Sequence, residues 1–171
     1  MDRRRLVLAV TAFTLVCGGA AVVLGYNLLR SPTLQPIAFN HKLHVVDNGL
    51  ECVTCHVYVT SQPFAGLPDL EKCLECHRDP LTDSPEEKKL RSAAAKRQQL
   101  VWRRLYEVPD HVYYSHRLHV VAGKLECARC HGPIQSTTSP PAHALNELTM
   151  EFCIGCHEKA GVTTDCIACH K

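Results

Sequence analysis

Phe39-Asn-His-Lys-Leu-His-Val-Val-Asp-Asn-Gly-Leu-Glu-Cys-Val-Thr-Cys-His56 returns without a gap as Tyr114-Ser-His-Arg-Leu-His-Val-Val-Ala-Gly-Lys-Leu-Glu-Cys-Ala-Arg-Cys-His131. Ten of the eighteen aligned positions are identical, and the offset is 75 throughout. A repeat of this kind marks a duplicated supersecondary unit. Each copy ends on Cys-x-x-Cys-His. Three more such endings lie outside the repeat: Cys73-Leu-Glu-Cys76-His77, Cys153-Ile-Gly-Cys156-His157 and Cys166-Ile-Ala-Cys169-His170. Together they take ten of the chain's 11 Cys and leave only Cys17.

C-x-x-C-H is the attachment signature of c-type haem. Thiols three positions apart bond the two vinyl positions on one side of a porphyrin, and the adjacent imidazole supplies the proximal nitrogen to iron. Zinc ribbons need two C-x-x-C pairs per metal and no following His, whereas here five pairs of five carry one. Full disulfide pairing is excluded by the odd count. The sequence therefore predicts five covalent haems c, on Cys52/Cys55, Cys73/Cys76, Cys127/Cys130, Cys153/Cys156 and Cys166/Cys169. Their proximal ligands are His56, His77, His131, His157 and His170.

Six His remain: His41, His44, His111, His116, His119 and His143. Iron held by His on both faces needs five distal ligands, so the supply matches. One helical turn puts His41 and His44 on one face, from which each reaches a different haem; His116 and His119 repeat the arrangement. The fifth distal ligand is expected from His143, His111 or Met150. His143 is favoured, because it precedes Cys153 by ten residues, close to the separation of His41 and His44 from Cys52.

Composition bounds the rest. The chain has 171 residues, 46% hydrophobic but only 6% aromatic, with 19 basic against 17 acidic side chains. That balance gives a nucleic-acid partner no electrostatic support. So thin an aromatic supply suggests that stacked porphyrins fill the interior. The expected fold class is a multihaem c-type cytochrome with little sheet, its short α-helices and loops wrapped on haems.

Leu6 to Leu29 runs 24 residues without a charge, about 36 Å as a helix at 1.5 Å per residue and enough to span a bilayer. A cleaved signal is the rival, but signal h-regions are shorter, roughly 7–15 residues. Three Arg precede the span and Arg30 follows it, which predicts a cytoplasmic N-terminus and a haem domain on the outer, periplasmic face of a bacterial inner membrane. Cys17, Ala21 and Gly25 recur every four residues, either as a face for a partner helix or as ordinary small anchor residues. The expected divisions are an anchor (1–30), a two-haem module (31–80), a basic helical linker (81–107) and a three-haem module (108–171).

In the linker, Ser84-Pro85-Glu86-Glu87 reads as a helix start with a Ser cap, an early Pro and Glu at the capping-box position. Leu90, Ala94, Val101 and Leu105 then make an apolar stripe ending before Pro109. Lys88 to Arg104 holds seven basic residues and no acidic one. That face suits lipid headgroups, haem propionates, an acidic partner or plain solvent.

The F-x-H-x-x-H-V…L-x-C-x-x-C-H module resembles the class III multihaem cytochromes. Ala38-Phe39-Asn40-His41, Pro63-Phe64-Ala65-Gly66-Leu67-Pro68 and Val108-Pro109-Asp110-His111-Val112-Tyr113-Tyr114-Ser115-His116 are more specific. They are similar to the membrane-anchored pentahaem subunits of alternative complex III and of periplasmic menaquinone reductase complexes. In that family a His precedes the Leu-Pro-Asp element; here the place is Tyr106, with Val108 for Leu, and His111 is the candidate to take over its role. The resemblance implies an electron-transfer subunit with no catalytic residue of its own. Implied partners are a quinone-binding integral membrane subunit, an iron–sulfur, molybdopterin-like subunit and a soluble electron carrier. The competing functions are a stand-alone quinol dehydrogenase cytochrome feeding a periplasmic reductase, and a multihaem reductase, which needs an iron with an open distal position.

Overall fold

The computed structural model describes residues 2–29 and 33–171; Arg30 and Ser31, where the exported part is expected to begin, lie outside them. The chain divides there into two units, the second being residues 33–171.

The first unit is one helix, α1 (Arg3–Leu29). Its stretch Val7–Tyr26 is long and apolar enough to cross a membrane, and none of it is covered by protein. Thr11 and Thr14 donate their hydroxyls to the carbonyls of Val7 and Val10 at 2.9 and 3.0 Å. Both hydroxyls are thereby satisfied within the helix, which lipid requires.

The second unit contains short helices and loops. Among the described residues no strand forms, and the one β contact is an antiparallel bridge between Val112 and His170. Three α-helices are single turns around attachment motifs: α2 (Cys52–Cys55), α5 (Ala128–His131) and α7 (Cys166–Cys169). Two are longer and capped. α3 (Leu70–His77) starts where the Asp69 carboxylate accepts from the Lys72 N–H. α6 (Met150–Ala160) starts with the Thr149 hydroxyl accepting from Phe152 and ends on Gly161 in the left-handed region at φ 65°.

α4 (Pro85–Ala95) begins as expected, with Ser84 Oγ accepting from the amides of Glu86 and Glu87. Its end departs from the sequence expectation. Arg97 takes φ 53°, the Arg97 N–H reaches Ala94 O and the Gln98 N–H reaches Ala93 O, the bond pair of a Schellman stop. Residues 98–107 are not helical. Leu90 and Ala94 face the core, but Val101 is 76% exposed. The chain turns because Leu100 and Trp102 fold back on that core, Trp102 donating its indole N–H to Pro68 O at 2.8 Å.

The core is small. Ile37, Leu70 and Leu90 form it, flanked by Cys73, Leu74, Ala94, Leu100 and Trp102. Gln35 clamps the Arg103 backbone through both its amide oxygen and nitrogen. Among the described residues only one other hydrophobic side chain, Val59, is buried. Four buried apolar residues are far too few to offset the ordering entropy of such a chain.

Candidate haem-binding sites

The repeat seen in sequence is also a repeat in space. The turns carrying H-x-x-H are π-helical, Lys42–Asp47 and Leu118–Ala122. Phe39 stacks on His44 with centroids 4.4 Å apart and meets His41 edge-on at 4.8 Å. Tyr114 does the same to His119 and His116, at 4.8 and 4.9 Å. The aromatic heading each copy thus fixes the planes of two imidazoles.

Four of the six non-motif histidines then stand opposite a motif histidine. Centroid separations are 6.1 Å for His44–His77, 6.3 Å for His116–His131, 6.2 Å for His119–His157 and 5.6 Å for His111–His170. Two imidazoles sharing one metal at ~2 Å per bond place their ring centres about 6 Å apart. The spacing fits. His41 lies near His56: burial pushes its pKa down to about 4, and His56 is the first neighbouring charge that lowers it further. Burial also lowers His116 and His131. These rings are therefore held neutral, the form that ligates iron.

The other ring nitrogen is engaged. Nδ1 of His44, His56, His116, His119 and His157 lies 2.8–2.9 Å from the carbonyls of Asn40, Gly66, Pro63, Ser115 and Thr163. A carbonyl only accepts, so Nδ1 carries the proton and Nε2 presents its lone pair across the gap. Tyr106, where the resembled family has His, meets the His131 ring edge-on at 4.5 Å. Its hydroxyl donates to His131 O and accepts from Leu145 N–H. It positions a candidate ligand rather than acting as one.

His143, favoured by its separation from Cys153, is exposed, and among the described residues no other ring is paired with it. Met150 is 57% exposed at the start of α6. His111 is brought to His170 instead, because the Val112–His170 bridge and the bonds Tyr113 N–Cys169 O and Lys171 N–His111 O tie the two segments together.

Among the described residues no disulfide forms, and the motif pairs neighbour one another. Cys55 faces Cys73 and Cys76, the Cys52 and Cys127 side chains are hydrogen-bonded, Cys130 faces Cys153 and Cys156, and Cys153 faces Cys169. Burial raises the thiols of Cys55, Cys73, Cys127, Cys130 and Cys153, that of Cys73 to about 11.

Residues 112–171 match the family model of cytochrome c7 and related cytochrome c, and residues 26–104 match that of the class III cytochrome C family. The chain is also 34% identical over 192 residues to the menaquinone reductase, multiheme cytochrome c subunit, of Nitratidesulfovibrio vulgaris, covering 91% of each chain. This chain belongs to the class III multihaem cytochromes c.

Membership makes covalently bound haem c the cofactor, and the donor set fits it: thiol pairs each followed by His, and imidazole pairs at iron-sharing distance. A second feature of this cytochrome fits as well. Arg91 Nε is shielded from solvent and has no hydrogen-bond partner in the chain, a donor suited to a carboxylate such as a haem propionate. One relevant residue escaped the sequence reading. Glu87 was expected to close the capping box on Ser84 N–H, but that N–H donates to Thr82 Oγ1 instead. The Glu87 carboxylate turns to Leu81, Thr82 and His77.

Proposed function

We propose that residues 33–171 carry five haems c, each between one motif His and one distal His: His41–His56, His44–His77, His116–His131, His119–His157 and His111–His170. The observation that carries this reading is the set of ring pairs spaced near 6 Å with Nδ1 occupied behind. Haem c, when bound, supplies a one-electron iron couple. The chain supplies attachment, axial nitrogens and spatial order.

That order follows from the neighbouring thiols. It runs from Cys73/Cys76 to Cys52/Cys55, on to Cys127/Cys130, then Cys153/Cys156, and ends at Cys166/Cys169. The arrangement is a linear relay, not a cluster around one centre. With α1 as a retained anchor, the relay stands on the periplasmic side of the membrane. It passes electrons between a quinone-linked membrane complex and a downstream carrier. The similar menaquinone reductase subunit supports menaquinone as the quinone and a hetero-oligomeric assembly; in this reading the assembly adds a quinone-binding integral membrane subunit and an iron–sulfur, molybdopterin-like subunit.

The test is purification from membranes, with haem counted by pyridine haemochrome and by intact mass. Five low-spin haems per chain, co-purifying partners and reduction by a menaquinol analogue are expected. Fewer haems, or quinol oxidation by the isolated chain alone, overturns the relay-subunit reading.

A further inference from the structure

Every histidine of the paired set has a neutral group behind its ring wherever a contact is formed, except one. Five have backbone carbonyls, and His41 has the Thr137 hydroxyl at 3.3 Å. Behind His77 stands a carboxylate, Glu87 Oε1, 3.3 Å from Nδ1. Among the described residues no other histidine is paired with an acid.

This carboxylate is fixed in place. Glu87 is 6% exposed. Oε1 also accepts from Leu81 N–H at 2.7 Å, and Oε2 accepts from Thr82 N–H at 2.7 Å and from Thr82 Oγ1 at 2.5 Å. It occupies the third position of α4, within the first turn, where the helix dipole favours an anion. Two N–H groups and a hydroxyl thus donate to its two oxygens, the donor set that an ionised, acceptor-only carboxylate takes. Closing the capping box would have pointed it at Ser84. Instead, the loop at Leu81–Thr82 delivers it to the imidazole.

A charge behind Nδ1 pushes electron density through the ring to Nε2 and favours the higher charge state of any metal bound there. We propose that Glu87 is a positioning residue that acts through His77 to make the haem on Cys73–Cys76 the lowest in reduction potential of the five. The inference rests on the haem assignment above. It adds an asymmetry: that attachment pair is one end of the thiol order, so the most reducing site is terminal.

The experiment is a haem-resolved NMR redox titration of the full-length holoprotein, parent against Glu87→Gln. The haem is identified by contacts of its methyls with Leu70 and Leu74, which share one core cluster with Cys73. In Glu87→Gln its reduction equilibrium should become at least tenfold more favourable, a rise of about 59 mV for one electron. Glu87→Asp, which keeps the charge, should restore most of the shift. Thr82→Ala, which removes the hydroxyl that donates to Oε2 and accepts from Ser84 N–H but leaves the carboxylate itself, should leave the potential in place.

A change below about threefold in Glu87→Gln overturns the proposal, as does an equal shift in Thr82→Ala. If Glu87→Gln fails to load its haems, the parent protein decides: the assigned haem must be the last reduced, and any other haem reduced after it refutes the idea. Failure of the underlying reading looks different. It appears in the parent itself, as a haem missing from Cys73–Cys76 or as a low-spin spectrum untouched by His77→Ala.

Discussion

Replacing His111 by Ala tests the fifth pair. The side chain makes one contact of note, the ring opposite His170 with 5.6 Å between centroids and 13° between planes. The bonds that hold the segment, Val112 N to Pro109 O, Tyr113 N to Cys169 O and Lys171 N to His111 O, are all backbone. The variant should therefore keep its trace and lose only an axial nitrogen. One pair in five is removed, so about one fifth of the haem should leave the low-spin state. Pyridine haemochrome should still count the parent's haem content, because Cys166 and Cys169 are untouched. Magnetic circular dichroism and electron paramagnetic resonance read the spin state, and added imidazole should return it to low spin by filling the open position. His143→Ala and Met150→Leu should change nothing. A wholly low-spin His111→Ala protein, with a one-fifth loss in His143→Ala instead, refutes the reasoning. It would mean that the Val112–His170 bridge does not set the ligand.

The mature protein should keep residues 6–29 and fractionate with membranes; N-terminal sequencing that begins near residue 20 or 31 counts against the anchor. Arg103 and Arg104 are exposed, with the Arg104 guanidinium 5.8 Å over the Phe64 ring. Reversing both to Glu should weaken partner assembly at low salt and matter less beyond ~0.1 M, where the screening length falls to ~10 Å. Unchanged assembly at low salt leaves a merely solvated face. Leu90→Ala opens the three-residue core and should cost about 2–5 kcal/mol in denaturant unfolding of the holoprotein. Arg97→Gly relieves a left-handed backbone at φ 53°; it should leave thermal stability equal or raise it by up to ~1 kcal/mol, whereas Arg97→Val should lower it.

Chemistry that local spacing dictates was legible in the sequence. The motif pairs and the H-x-x-H turns are read from spacing alone, and the two turns repeat in the structure. The thin core is foreshadowed by the low aromatic content. What escaped depends on contacts distant in sequence or on rule-breaking residues. The α4 stop is carried by Arg97, not the Gly that usually marks a left-handed cap, so the apolar stripe read on through Val101 and Leu105. The choice of His111 over His143 rests on one isolated bridge, which leaves no periodicity to detect. His143 matched by separation alone, and a loop of similar length ends in solvent. Glu87 satisfied a helix-start rule so well that its other use, behind His77, was hidden.

The five proposed histidine pairs share a direction along the chain. In each, the distal member comes first: His41 before His56, His44 before His77, His111 before His170, His116 before His131 and His119 before His157. For a polypeptide exported progressively from its anchor toward its C-terminus, every attachment motif then emerges after the ring that will close over its far side. No newly attached haem has to wait, half-coordinated and reactive toward small molecules, for chain not yet exported. The order of residues thus doubles as an order of manufacture.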